Sequence, residues 1–194
     1  GHASDSRLVG YSICNLAGSC TTTMAIEAAA WQRAAADKVL YNIVAANMSY
    51  GSSPSLTDVS QQAIDAAALN ADILPVCAAG NGGSSTTGSS ATSNGLAVAN
   101  VAPNTKVVAG NSSRGPLSGD PTRFFPDIAG CGSGTVMPRR DNEANNYVTS
   151  GTSMASPQVC GAATLVKAAR PASSARELKA ILLASTESIA AQNP

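Results

Sequence analysis

Two runs of almost unbroken apolar residues, Val39–Met48 and Ile73–Ala79, constrain the fold most. A strand wetted on one face alternates apolar and polar residues. One covered on both faces does not, and such runs mark parallel strands held between layers of helix. Each run stops at turn residues, Ser49-Tyr50-Gly51-Ser52-Ser53-Pro54 and Gly80-Asn81-Gly82-Gly83,. Between them, Asp58–Asn70 carries Val59, Ala63, Ile64, Ala67 and Ala68 at helical spacing,. Thr21–Lys38 also reads as a helix, with Thr21-Thr22-Thr23 as N-cap hydroxyls and Glu27 close to the first turn,. Arg7–Ile13 is a further apolar run of strand length, and Leu96–Val101 and Lys106–Ala109 predict two shorter strands. Ser84–Asn94 reads as a surface loop, and Asn111–Met137, rich in Gly and Pro, as mostly loop,. Ser174-Ala175-Arg176-Glu177 is a capping box for a last helix to about Ala184,. Strands alternating with helices imply an α/β, doubly wound, mainly parallel sheet in one domain over residues 1–194,.

Composition excludes several functions. With 12 basic and 12 acidic residues and no run of either sign, the chain suits neither nucleic acid nor anionic membrane as a partner,. No apolar stretch approaches the ~20 residues that span a bilayer. The N-terminus lacks the basic start and apolar core of a signal peptide,. Scarce charge with abundant Ala, Ser, Gly, Asn and Thr fits a tightly packed secreted protein,. Five cysteines leave one odd. Cys14 and Cys20 could close a small loop disulfide, whereas Cys77 and Cys160 lie in apolar runs and read as buried small hydrophobes,. One His and no Cys-x-x-Cys pair argue against zinc,.

The chemistry concentrates in Ser150-Gly151-Thr152-Ser153-Met154-Ala155-Ser156-Pro157. Tyr147-Val148-Thr149 ahead of it is β-like; Val159, Ala162, Ala163, Leu165, Val166 and Ala169 behind it give a helix an apolar face,. Pro157, with no N–H to donate, suits a first helical turn. Ser153 therefore falls at a helix N-terminus, where oriented N–H groups stabilise an anion formed beside it. An acyl-transfer nucleophile and half of its oxyanion hole belong there. Serine is also an ordinary N-cap at that position.

The octapeptide, continued by Gln158-Val159-Cys160-Gly161, resembles the nucleophile motif of the subtilisin-like serine proteases, with Gln158 where the family usually has His. The resemblance runs in order from about Arg7 to Ser185 and implies a subtilisin-like sheet with helices on both faces. Ligands sit at the carboxyl ends of the strands in such sheets. Asn47-Met48-Ser49-Tyr50-Gly51 resembles the segment whose backbone pairs with extended substrate, so Ser49, Tyr50 and Gly51 are expected to bind peptide. Tyr50 stands where Leu is commoner; it would line a specificity pocket, or it is a turn tyrosine facing solvent. Ala78-Ala79-Gly80-Asn81 matches the oxyanion segment: Ala78, Ala79 and Gly80 as a pocket wall and Asn81 as an amide donor to the developing oxyanion. Asn81 before Gly82 also suits a left-handed turn. Asn111–Pro116 and Phe125–Gly130 resemble intervening family segments with structural roles.

A serine hydroxyl needs an imidazole to take its proton and a carboxylate to orient that imidazole. The only His is His2, in a context unlike the family's His-Gly-Thr-His segment, and Asp5, Asp37 and Asp58 have no family-like context either. Moreover, Arg7–Ile13 resembles the strand that follows the catalytic His helix. The expectation is a C-terminal part of a subtilase catalytic domain lacking the N-terminal strands, with His and Asp on an upstream segment that acts as its partner. The strand ending at the catalytic Asp would lie between Arg7–Ile13 and Val39–Met48. Its removal leaves two rows of unpaired backbone groups, so the chain either pairs with a separate N-terminal piece or rearranges. Calcium is common in the family, but no Asp-rich loop identifies a site, and no cofactor is assigned. Two other readings stand beside the endopeptidase: a peptide-binding subtilase remnant that does not cut, and a sedolisin-type serine-carboxyl peptidase. Asn81 argues against the last, which places Asp there.

Overall fold

A computed structural model describes residues 2–14, 20–51, 57–84, 92–117, 120–138 and 145–190. Helix α1 (Met24–Ala36) opens on Thr23, whose hydroxyl accepts the Ile26 N–H, and a short turn, α2 (Lys38–Tyr41), follows. Next come β1 (Ala45–Met48), α3 (Val59–Ala71, capped by Asp58 on the Gln61 N–H) and β2 (Leu74–Ala78). Beyond β3 (Leu96–Val101) lie β4 (Gly115–Leu117), β5 (Asp120–Phe125), β6 (Ile128–Cys131), β7 (Thr135–Pro138) and β8 (Asn146–Thr149). Two helices end the chain, α4 (Thr152–Ala169) and α5 (Ala175–Ala184), the latter on the expected Ser174–Glu177 capping box.

The main sheet is parallel throughout, in the order β1-β2-β3-β6. Successive strand residues point to opposite faces, so β2 divides its side chains between two layers. Leu74 and Val76, with Leu96 and Val98 of β3, pack under Ala155, Val159 and Ala163 of α4 and Leu178 and Leu182 of α5. Cys77 goes the other way, with Met48, onto Trp31 of α1 and Ile64 and Ala67 of α3. The α/β architecture with helices on both faces is therefore the one read from the sequence.

Three segments differ from expectation. The first half of Val39–Met48 is helical: α2 continues the α1 path and ends at Asn42, in a left-handed conformation. An apolar run of this length does not distinguish one more helical turn from a strand. Arg7–Ile13 joins no strand, because nothing among the described residues lies beside it to complete a ladder; Leu8 is left 95% exposed. Asn111–Met137 is not mostly loop. It holds β4 and β5 as an antiparallel pair, β6 in the main sheet, and β7, which pairs with β8. These strands run three to six residues and are too short to show a period. Lys106–Ala109 gives only an isolated bridge, Val101 to Val108. Residues 85–91 of the expected surface loop lie outside the described residues. Cys14 and Cys20 form a disulfide, Cys77 is buried and Cys160 half-buried.

Candidate active site

The site is built where β1 and β2 end against the start of α4. Ser153 is the second residue of that helix, and Pro157 lies inside it, beyond the first turn where the sequence suggested it. A proline there has a consequence for its neighbour four residues back. It cannot donate to the Ser153 carbonyl, and its ring crowds that oxygen. The Ser49 hydroxyl supplies the missing donor at 2.9 Å, and the Ser153 hydroxyl donates in return to the Ser49 carbonyl at 3.2 Å. The end of β1 and the start of α4 are thereby clasped by a reciprocal pair. Asn47 extends the clasp: its amide nitrogen donates to the Ser49 hydroxyl, and its Oδ1 accepts from Ser156 at 2.5 Å.

Asn81 meets the same helix from β2. The Thr152 N–H, one of the donors a helix N-terminus leaves without a partner, points at its side chain at 3.1 Å,. A backbone N–H can only donate, so the atom facing it is Oδ1, and this fixes the orientation of the amide. The Thr152 hydroxyl accepts the Gly80 N–H at 3.1 Å and lies 3.3 Å from the same Oδ1. With Oδ1 engaged, Nδ2 is turned away from Thr152. Among the described residues neither Asn81 Nδ2 nor the Ser153 N–H has a hydrogen-bond partner. Two donors thus stand free at the start of α4.

Close glycines let the segments approach. A Cβ at Gly132 would lie 2.3 Å from the Gly151 carbonyl oxygen, and Gly80 takes φ +102° where β2 turns into Asn81,. The other expected residues divide. Ser49 and Gly51 are half-buried at the end of β1. Ala78, Ala79 and Gly80 are fully covered; the Ala79 N–H bonds the Val98 carbonyl and the Gly80 carbonyl accepts the Ser113 N–H. Tyr50 turns neither to Asn81 nor outward. It packs, half-buried, on the cluster of Trp31, Met48 and Ile64.

No acid–base partner reaches Ser153 among the described residues. His2 lies against Gly161, eight residues and ~12 Å along α4 from Ser153 at the helical rise,. Asp37 is held by Arg33 and Tyr11, and Asp58 caps α3. Among the described residues no cluster of three or more His, Cys, Asp or Glu could hold a metal ion. Sequence reading missed Thr152 as the link between Gly80 and Asn81. It also missed the Ser49–Ser153 clasp, although Pro157 four residues after Ser153 signals that the Ser153 carbonyl needs an outside donor.

A serine at a helix N-terminus, with an asparagine held on the residue before it, at the carboxyl edge of a parallel α/β sheet points to the subtilisin-like class of serine protease. The profile described as Subtilase family matches residues 1–193, and the chain belongs to that family. Two solved structures are similar to it. "S41 Psychrophilic Protease" is 27% identical with a TM-score of 0.70, covering 86% of this chain and 57% of that one. "Sphericase" is 28% identical with a TM-score of 0.70, covering 85% and 56%. Among curated proteins, "Subtilisin-like protease SBT3.1" of Arabidopsis thaliana is 40% identical over 78 residues, 39% of this chain and 10% of that protein. The chain thus spans little more than half of the solved relatives and a tenth of the plant one. No helix among the described residues is long and apolar enough to cross a membrane.

Proposed function

We propose that these residues are the nucleophile-bearing part of a secreted serine endopeptidase, whose imidazole base and orienting aspartate come from an upstream segment of the same protease. Ser153 Oγ forms a bond to the carbonyl carbon of an extended peptide while its proton passes to the imidazole. The Asn81 Nδ2 and the Ser153 N–H receive the oxyanion, the amine leaves with the proton, and water then frees the acyl group. Ser49, Tyr50 and Gly51 supply main chain to the substrate, with Ala78, Ala79 and Gly80 behind the oxyanion donors. The observation that carries this reading is the Thr152 N–H on Asn81 Oδ1, on the residue next to Ser153, which leaves the amide's Nδ2 turned away from Thr152.

A second reading, a peptide-binding module that does not cut, is favoured by one contact: the Ser153 hydroxyl donates to the Ser49 carbonyl and not to a base. A fluorophosphonate probe separates them. Labelling that disappears in Ser153→Ala marks an acylating serine; unlabelled chain that still binds peptide marks the module. Where labelling is seen, Asn81→Ala is expected to slow it about 10²–10³-fold, the effect of removing an oxyanion donor and one known from a subtilisin asparagine.

A further inference from the structure

Asn47 is the one polar side chain of β1. Successive strand residues point to opposite faces. Ala46 and Met48 turn to the cluster on α1 and α3, and Ala45 packs on the cluster beneath α4, so Asn47 turns to α4 as well. It is exposed there, at the edge of a groove of about 970 Å³ between β1 and a far wall, Arg7–Ile13. Cys160 and Gly161 line the groove on the α4 side, and the Tyr11 hydroxyl anchors its far wall on Asp37. The Asn47 amide is therefore held by hydrogen bonds and not by core packing.

Those hydrogen bonds run in one direction. Ser49 has a single hydroxyl proton, and the Ser153 carbonyl takes it at 2.9 Å because Pro157 offers no N–H,. The Ser49 oxygen is then left to accept, so the end of the Asn47 amide facing it at 3.0 Å is Nδ2,. Oδ1 consequently faces Ser156 and takes its proton at 2.5 Å, ahead of the Val76 carbonyl at 3.1 Å. The string leaves α4 at Ser156, passes through Asn47 and Ser49, and returns to α4 at the Ser153 carbonyl. Bonds aligned head to tail in this way polarise and strengthen one another. Were the amide turned round, Oδ1 would compete with the Ser153 carbonyl for the Ser49 proton. Nδ2 would serve Ser156, whose own proton would pass to Val76. The orientation of one amide thus decides whether the Ser153 carbonyl is held.

We propose that Asn47 is a positioning residue for the nucleophile, acting through Ser49. By committing the Ser49 proton to the Ser153 carbonyl, it fixes the peptide plane that follows Ser153. It does so in the turn where Pro157 has removed the helix's own hold,. The Ser153 hydroxyl and N–H, carried on the same residue, then keep the attitude that attack on a carbonyl requires. The role asks for no contact between Asn47 and substrate. It rests on Ser153 being the acylating serine proposed above; the hydrogen-bond string itself does not.

The test exploits the proline. Pro157→Ala returns an N–H to the Ser153 carbonyl and should make the string redundant. Fluorophosphonate labelling in the presence of imidazole is measured for Asn47→Ala in the parent chain and in the Pro157→Ala chain. Varying the probe concentration separates the maximal rate from half-saturation. With Pro157 present, Asn47→Ala should lower the maximal rate about tenfold, the size of one hydrogen bond, and leave half-saturation unchanged. In the Pro157→Ala chain the same substitution should change neither. Equal losses in both chains would mean that Asn47 only supports the fold, and no loss in either would free it of any role; each overturns the proposal. Carbon-13 NMR reads the Ser153 carbonyl separately. Asn47→Ala should move it upfield when Pro157 is present and leave it in place in the Pro157→Ala chain. If the parent chain is not labelled at all, the endopeptidase reading fails and this shift still decides. A carbonyl that moves keeps Asn47 as the holder of Ser153, and one that does not overturns it. Asn47→Asp, equal in shape but ionised and without a donor for Ser49, is expected to behave alike and serves if Asn47→Ala fails to fold.

Discussion

The two sides of β1 have different fates. Towards β2, every strand finds a partner, and Leu74, Val76, Leu96 and Val98 are fully buried beneath α4 and α5. Away from β2, Arg7–Ile13 carries Leu8, Val9, Tyr11 and Ile13, yet forms no ladder among the described residues and leaves Leu8 in water. An apolar run becomes a strand only when a neighbour takes up its N–H and C=O groups. The same contrast separates the contacts made at the site, Asn81 on Thr152 and Ser49 with Ser153, from an acid–base partner for Ser153, which none of the described residues supplies.

Truncation of one leucine on each side gives the largest contrast. Leu74→Ala should lower stability by about 2–5 kcal/mol, as deletion of a buried leucine does, and Leu8→Ala should stay within about 0.5 kcal/mol in denaturant titrations. Comparable losses would erase the distinction between the regions. Glycines give the next. Gly132→Ala drives a methyl against the Gly151 carbonyl and should cost about 1–3 kcal/mol, whereas Gly10, with nothing within 4 Å of a Cβ, should accept alanine at no measurable cost,.

Thiols report on the groove more gently. Burial pushes the Cys160 thiol up to about 11, while Cys131 is exposed. Iodoacetamide at pH 8 should therefore modify Cys131 well before Cys160, as peptide mapping would read. A Cys160 that reacts first would mean that the groove is open to solvent at α4. The smallest effect lies in the anchor of the far wall. The Arg33 hydrogen bond, with help from Tyr11, holds the Asp37 carboxyl below its ordinary value of 3.8. The folded state thus binds this proton less readily than the unfolded one. The contribution is complete above the ordinary value and fades as pH falls through the lowered one. Asp37→Asn should flatten that part of the stability profile between pH 5 and 2; an unchanged profile would release Tyr11 from its anchoring role.

Much of this was legible in the residues, for identifiable reasons. Ile73–Ala79 could be read because a strand covered on both faces leaves a long apolar run, and α5 because its capping box is a local pattern. That Asn81 approaches the turn holding Ser153, where it meets Thr152, could be expected only from the resemblance, since Asn81 and Thr152 are 71 positions apart and no local pattern joins them. What stayed hidden depended on partners distant in sequence. Val39–Tyr41 is helical because it continues α1, and β4 to β7 are strands because each found an edge to pair with. Thr152 could not be recognised as a bridge until Gly80 and Asn81 stood beside it.

The central claim is that a competent nucleophile and oxyanion pair await a base. Fluorophosphonate labelling of the chain, followed by intact mass and site mapping with increasing free imidazole, tests it most directly. The account predicts a slow adduct on Ser153 whose rate climbs with imidazole and which vanishes in Ser153→Ala. A rate indifferent to imidazole, or an adduct on another residue, would contradict it.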